Sequence, residues 1–282
     1  MERLEIFQQY RSLLFGIAYR MLGSITEAED ILQEAWIRWQ NSTTTIELPK
    51  AFLCSTVSRL CIDRLRFLNR EKKQYSGMWL PEPFLENYRE PERYESVSYA
   101  FLVLLECLSP TERVVFILRE VFDYEYTEIA PIVDKSVINC RQIFHRARKQ
   151  IIIDRSKFNL SNSKQNIIIE QFLIAWNQGD LETLINLMSK DIAFYADGGG
   201  KVTAAQKPLY GKLKVTRFLL AIKSSPLIPK FRSQLVLVNR QSGILNTIEG
   251  QPQSIFSFHL IKGKVSTIFA IVNPDKLTKS FY

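Results

Sequence analysis

Histidine and cysteine are scarce in this 282-residue chain, with two of the first and four of the second. Cys54, Cys61, Cys107 and Cys140 fall in segments that read as helices, with no C-x-x-C pair and no clustered histidines. That leaves neither a zinc framework nor a disulfide scaffold, and the four thiols read as small, reduced core residues. No run of about 18 apolar residues and no basic-then-apolar leader occurs, so a membrane span and an export signal are not expected and the chain should stay in the cytoplasm. The one three-glycine run has no G-K-[ST] at the spacing of a phosphate loop. Acid is missing from one place in particular: no Asp or Glu lies between Asp134 and Asp154.

What is present supports a folded, multidomain protein. A hydrophobic content of 46% supplies cores for two or three small domains, and a formal charge of +8 suits a polyanionic partner. The acid-free stretch from Ser136 to Lys149 reads as one strongly basic helix. Ahead of it Ser109-Pro110-Thr111-Glu112 makes a capping box with proline at the first helical position, followed by Val114, Val115, Ile117 and Leu118. Two helices and a short break before a basic helix are the layout of a helix-turn-helix, whose last helix enters the major groove.

Upstream, Leu14, Ile17, Ala18 and Met21 mark an amphipathic helix ending near Gly23. Thr26 and Glu29 suggest a capping box for a second helix with Ile31, Leu32, Ala35, Trp36 and Trp39 inward. Asn41 to Thr45 breaks that pattern. Pro49 opens a third helix with Leu53, Val57, Cys61, Leu65 and Leu68 inward and Arg59, Arg64, Arg66 and Arg70 on its basic face. Proline, glycine and tyrosine between residues 76 and 93 mark a linker. A helix over Val97 to Leu105 leads into the helix-turn-helix. From Asn166 the texture is α plus β: helices to Gln178 and Met188, a strand over Ile192 to Tyr195, a helix from Lys212 to Lys223, and alternating Phe256, Phe258 and Leu260. Lys262-Gly263-Lys264 then turns into Val265 to Val272. These strands predict an antiparallel sheet with helices on one face.

With these residues in view, the chain resembles an extracytoplasmic-function sigma factor, the specificity subunit of bacterial RNA polymerase. Tyr19-Arg20-Met21-Leu22-Gly23 and Glu27 to Trp36 are similar to the polymerase-binding part of region two. Ala51-Phe52-Leu53 through Asp63-Arg64-Leu65-Arg66 is similar to the part that opens the −10 element. Asn139-Cys140-Arg141-Gln142 with His145-Arg146-Ala147-Arg148 is similar to region four on the −35 element. Trp79-Leu80-Pro81-Glu82-Pro83, Asp197-Gly198-Gly199-Gly200-Lys201 and Asn273-Pro274-Asp275-Lys276-Leu277 resemble three signatures of the subgroup with a fused SnoaL-like domain. Two departures stand out: Asp134 holds a turn position where relatives often carry glycine, and Pro131 falls in the short second helix of the reading unit. An aspartate accepts the left-handed conformation, and Thr127 as cap puts Pro131 at the edge of the first turn.

The resemblance implies two all-α sigma domains, a region two helical bundle and a region four helix-turn-helix, followed by an α+β SnoaL-like domain with a cystatin-like cone. The expected boundaries are 1–75 for region two, 76–95 for the linker, 96–155 for region four, 156–165 for a second linker and 166–282 for the tail. The partners it implies are core RNA polymerase and promoter DNA, with no membrane, no cofactor and no metal, and with the fused tail in place of a separate anti-sigma protein.

Region two must stabilise an unstacked base, which costs a few kcal/mol. The loop from Asn41 to Leu48 offers hydroxyls and an amide for it, while Arg59, Arg64, Arg66 and Arg70 hold the displaced strand. In region four Arg141, Gln142, His145 and Arg146 are spaced to read base edges, and Arg148 and Lys149 to touch phosphate. Asp30, Gln33, Glu34, Trp36 and Arg38 make a mixed face for the clamp coiled coil of the large polymerase subunit; one of Trp36 and Trp39 is read as core. The Trp79–Pro83 segment is too proline-rich for a helix and docks as an extended strand, with the tail as receptor. The Asp197–Lys201 run is either a tight turn or the surface that receives the linker, and Asn273–Leu277 either caps the last strand or joins that surface.

Two alternatives stay open. The tail could bind or convert a small molecule, with Asp197 and His259 as the one acid–base pair the sequence offers. A plain DNA-binding repressor would need the helix-turn-helix but leave the first domain unexplained.

Overall fold

The computed structural model describes residues 3–43, 46–75, 77–85, 97–152, 162–224 and 232–279. They form two compact units, one of residues 3–74, 97 and 101–152, the other of residues 75–85, 98–100 and 162–279. Most of the stretch expected as a second linker, and much of the first, lies outside the described residues.

The first unit is all helical. α1 (Arg3–Leu22), α2 (Ile25–Gln40) and α3 (Pro49–Lys72) pack on one another, burying Leu14, Ile17, Met21, Leu32, Ala35, Leu53, Val57 and Leu65. These positions recur at three and four residues, so each helix presents one apolar stripe to its neighbours. The cap of α2 is Ser24, whose Oγ accepts from the Glu27 amide at 3.3 Å. The capping box expected at Thr26 is therefore displaced by two residues: Gly23 (φ 66°) breaks the chain and leaves Ser24 as the first extended residue.

α4 (Tyr99–Leu105), α5 (Pro110–Glu120), α6 (Tyr126–Val133) and α7 (Val137–Ile152) follow. Ser109 and Glu112 form the expected capping box, with Ser109 N donating to Glu112 Oε2 at 3.1 Å. Asp134 is left-handed at φ 53°, as its place in the turn requires. Thr127 is not the cap of α6. Glu125 precedes the helix, and its amide donates to Glu128 Oε2 at 2.8 Å, which places Pro131 in the second turn, where it removes one hydrogen bond from a helix only eight residues long. Cys107 also departs from expectation: it lies exposed in the turn after α4, while Cys54, Cys61 and Cys140 are buried.

The helical unit is held by a charged cluster that nothing local in the sequence marks. Arg113 is 1% exposed and donates to the Met21 carbonyl at 2.7 Å and to Glu106 at 3.0 Å; Lys72 reaches the other Glu106 oxygen at 2.5 Å. Burial pushes the Glu106 carboxyl up, but Arg113 and Lys72 outweigh it and hold the group below the usual glutamate range. A lowered carboxyl adds stability above its unfolded value and loses it as pH falls through the folded one. Glu106→Gln should therefore cost about 3 kcal/mol at pH 7 by taking the counter-charge from the buried Arg113 and weakening the hold on the half-buried Lys72. In chemical unfolding that deficit should shrink on acidification below about pH 4.3; an equal deficit at pH 3 and pH 7 would contradict the ion-pair account.

The second unit is α+β. α8 (Asn162–Gln178), α9 (Leu181–Leu187) and α10 (Lys212–Ser224) accompany β1 (Met188–Asp197), β2 (Leu209–Tyr210), β3 (Arg232–Val238), β4 (Gln241–Ile248), β5 (Gln251–Ile261) and β6 (Lys264–Ile271); α11 (Pro274–Lys279) follows β6. The sheet order is β2-β1-β6-β5-β4-β3. It is mixed rather than antiparallel throughout, because β1 runs parallel to β6. Turns at Asn239-Arg240, Glu249-Gly250 and Lys262-Gly263 carry two positive φ angles each, the twist that lets a two-residue turn join right-handed strands. Phe172 and Trp176 of α8 and Val215 and Leu219 of α10 pack on Phe194, Phe256, Phe258 and Ile268.

Candidate nucleic-acid interface and linker dock

On α7 the buried row is Cys140, Ile143, Phe144, Ala147 and Ile151, which leaves the opposite side to solvent. Arg141, Gln142, His145, Arg146, Arg148 and Lys149 are all exposed there, in two rows of spacing four and three. Ser136 opens the helix by accepting from the Asn139 amide at 3.2 Å. The guanidinium of Arg141 lies 5.7 Å above the Tyr126 ring, which Arg119 also covers at 5.0 Å, so an aromatic platform on α6 supports the side chain. One member of this surface was not predicted: Ile138, 68% exposed in the first turn, beside Arg141 and Gln142. In a helix laid in a major groove, an apolar side chain of this kind is one that can contact a thymine methyl. Its signal was an isoleucine facing outward among polar neighbours.

The basic face of α3 is partly engaged. Arg59 donates to the Pro131 carbonyl at 2.6 Å and the Ile132 carbonyl at 3.3 Å, capping the carbonyl end of α6 where charge of its sign is favoured. Arg64 holds Glu27 through two bonds of 2.5 and 2.7 Å, which raises its own basicity. Arg66 pairs with Asp63 at 3.1 Å, an exposed contact worth little. Arg70 is exposed and hydrogen-bonds to nothing among the described residues. Asn41 closes α2 through its amide to the Ile37 carbonyl at 3.0 Å; Thr44 and Thr45 of the following loop lie outside the described residues.

On α2 Asp30, Gln33 and Arg38 are exposed and Glu34 half-buried, one stripe down the helix. Trp36 does not share it: the ring packs edge-on against Phe7 at 5.2 Å. Ile37, 50% exposed, takes the apolar place in the stripe instead. Trp39 is the core tryptophan, donating to the Arg3 carbonyl at 3.0 Å.

In the second unit the three signature segments meet. Asp197, at the end of β1, is 0% exposed. Its Oδ2 accepts from the Leu80 amide at 2.9 Å and from Lys276 Nζ at 2.6 Å; its Oδ1 accepts from the Gly199 amide at 3.0 Å and from the Tyr75 hydroxyl. Lys276 also donates to the Leu80 carbonyl, and its ammonium lies 3.6 Å from the Trp79 ring centre. Asn273 Nδ2 donates to the Tyr75 oxygen at 3.0 Å, while Asn273 Oδ1 accepts from the Asp275 amide at 3.1 Å and caps α11. Burial, with the Asp197 carboxylate second, pushes the Tyr75 phenol well above its usual range, so it stays a donor.

Gly199 is at φ 64°, and a Cβ there would fall 2.5 Å from the Asn273 amide nitrogen; the glycine run is both a turn and the close approach of two segments. Leu80, Pro81, Glu82 and Pro83 are buried, and Tyr99 donates to the Pro81 carbonyl at 2.7 Å. Beyond them Phe84 and Asn239 exchange bonds, Phe84 N to Asn239 Oδ1 at 3.1 Å and Asn239 N to Phe84 O at 2.8 Å. Lys201 pairs with Asp275 at 2.7 Å on the surface. Tyr75 and Asn239 were missed by sequence reasoning, since neither stands inside a signature.

Asp197 and His259 do not form an acid–base pair. Asp197 is opposite Ile271 on β6, and His259 is opposite Thr267 on the far side of that strand. Four residues along and two strands across put them about 16 Å apart.

Two family models match the chain: Sigma-70 region 2 over residues 6–71 and Sigma-70, region 4 over residues 98–151. The ECF RNA polymerase sigma factor SigJ of Mycobacterium tuberculosis is 33% identical over 289 residues, covering 97% of this chain and 93% of that protein. Its crystal structure matches with a TM-score of 0.81 over 99% of both chains, so the α+β unit is shared as well. The probable ECF sigma factor SigI of the same organism is 28% identical over 282 residues, covering 96% of this chain and 93% of that protein. Among the described residues no helix is long and apolar enough to cross a membrane. The chain belongs to the ECF sigma factors of the sigma-70 family, with regions two and four followed by a C-terminal domain of the NTF2/SnoaL-like fold.

Proposed function

We propose that this sigma factor binds core polymerase through the Asp30–Arg38 stripe of α2, reads the −35 element with α7 and the −10 element with the α3 face and the Asn41–Leu48 loop, and is restrained by its own tail through the docked linker. Elements centred about 25 base pairs apart stand roughly 85 Å apart along B-DNA. α3 is a helix of 24 residues, about 36 Å long, and Arg59 ties it directly to α6. A helical unit closed in this way does not span a promoter, so initiation on this reading requires the contact between α3 and α6 to open.

The observation that carries the restraint is the fixing of Tyr75, Leu80, Pro81 and Tyr99 within one unit. The roughly 26 residues between α3 and α4 reach about 90 Å when extended, and the docking of Tyr75 and of Trp79 to Leu85 withdraws part of that reach. The tail thus takes the place of a separate anti-sigma protein. Expected cytoplasmic residence follows from the partners. The test is run-off transcription with bacterial core polymerase on the region upstream of the protein's own gene, comparing the full chain with its Trp79→Ala variant. Loss of the cation–π contact weakens the dock and should raise specific transcript roughly threefold to thirtyfold. Unchanged or reduced transcript would overturn the restraint.

A further inference from the structure

The second unit contains an apolar cavity of about 570 Å³. Trp176, Phe194, Phe218, Phe256 and the small side chains Ala204 and Ala205 contribute to its wall, and no titratable side chain lines it among the described residues. A charged molecule would enter without a counter-ion, which is costly. Among the described residues its wall holds no carboxylate, imidazole, amine or thiol for acid–base work, which suits holding a molecule rather than converting one.

One side of the cavity is polar, and its hydrogen bonds run in a chain. Trp176 Nε1 donates to Ser233 Oγ at 3.0 Å, Ser233 donates to Asn246 Oδ1 at 2.5 Å, and Asn246 Nδ2 donates to Ser254 Oγ at 2.9 Å. Ser254 closes the chain: its oxygen accepts, and its own proton meets no acceptor among the described residues. It is 5% exposed and lines the cavity. A buried donor without a partner is costly, and an acceptor in the cavity would relieve it.

We infer that this cavity is a binding site for a neutral, mainly apolar molecule carrying a carbonyl-type oxygen, which accepts the proton of Ser254. Its place in the fold links it to the linker dock, and this consequence rests on the reading of the dock as a restraint. Ala196, Val272, Pro274 and Leu277 line the cavity, and each is next to or one residue from Asp197, Asn273 and Lys276, which hold the linker. An occupant packed on Leu277 and Pro274 supports α11 from behind and tightens the bond from the Leu80 amide to Asp197.

The test uses the full chain and two fluorescent probes of similar size. Prodan is a neutral naphthyl ketone; N-phenyl-1-naphthylamine is neutral and has no carbonyl. Prodan should bind one per chain with blue-shifted emission and a dissociation constant on the order of ten micromolar, ordinary for a ligand of about 17 non-hydrogen atoms. Ser254→Ala should weaken prodan roughly threefold to tenfold and leave the amine probe unchanged, whereas Ala205→Trp, which fills the cavity from its half-buried edge, should abolish both. Hydrogen exchange at the Leu80 amide should slow when prodan saturates. Absence of saturable binding by either probe overturns the site, an equal response of both probes to Ser254→Ala overturns the ligand class, and unchanged Leu80 exchange overturns the link to the linker. These measurements involve no polymerase, so failure of the restraint in run-off transcription is a separate result.

Discussion

Asp197→Ala should lower the melting temperature of the α+β unit by roughly 6–20 °C in calorimetry of the full chain. The side chain is wholly buried, accepts four hydrogen bonds, and is the counter-charge to Lys276. Removing one partner of a buried ion pair costs about 3–5 kcal/mol, because the remaining ion keeps its desolvation and loses its compensation. For a domain of this size each kcal/mol moves the midpoint by about 2–4 °C. Asp197→Asn separates the contributions: its single side-chain oxygen can accept from the Leu80 amide or from the Gly199 amide but not both, and it abandons the ammonium, so its deficit should stay below that of Asp197→Ala and should persist as long as Lys276 is charged. In the Asp197→Ala, Lys276→Met double variant the stranded charge is gone, and much of the loss should be recovered. A shift below about 2 °C for Asp197→Ala alone would mean that the carboxylate does not organise the dock.

Arg141→Ala should reduce promoter-specific initiation roughly fivefold to 150-fold while core polymerase binding stays within twofold of the parent. One good bidentate contact to a guanine edge carries about 1–3 kcal/mol of discrimination, and the Tyr126 platform limits the conformations the guanidinium must give up on binding. Arg148→Ala and Lys149→Ala should behave differently. Both side chains lie a full turn or more along α7, so their loss should weaken binding to all sequences alike and lower the salt slope by about one each. Equal losses of initiation and of polymerase binding for Arg141→Ala would contradict the assignment of α7 to promoter reading.

The helices were legible because their signals are local. A serine, a proline and a glutamate within four residues specify the start of α5 with little help from the rest of the chain, and Asp134 announces the left-handed turn before α7. The caps of α2 and α6 were misplaced by two residues because more than one residue nearby could begin the helix; Gly23 settled the first and Glu125 the second. The parallel pairing of β1 with β6 was not legible. It joins residues about 75 apart in sequence, and an alternating strand looks the same whichever way its neighbour runs. The linker's docking on the tail was anticipated from its composition, but the convergence of Tyr75 and Asn239 on it depends on contacts across more than 150 residues. The Glu106 cluster was invisible for the same reason: its three charges look like solvated helix residues until the helices pack.

The position of β6 in the sheet has a bearing on time. This strand lies between β1 and β5 near the middle of the sheet, yet of the strands among the described residues it is the last in chain order. The β2-β1 pair that carries Asp197 is therefore not joined to β5-β4-β3 until Ile271 has been added, about 120 residues after α7 is complete, which at 5–20 residues per second takes roughly 6–24 s. Helical units rich in local contacts fold in microseconds to milliseconds. Each newly made molecule accordingly spends seconds with α3 and α7 formed and the carboxylate that binds Leu80 not yet in place; on the proposed reading, the rate of translation then sets how long a copy exists unrestrained.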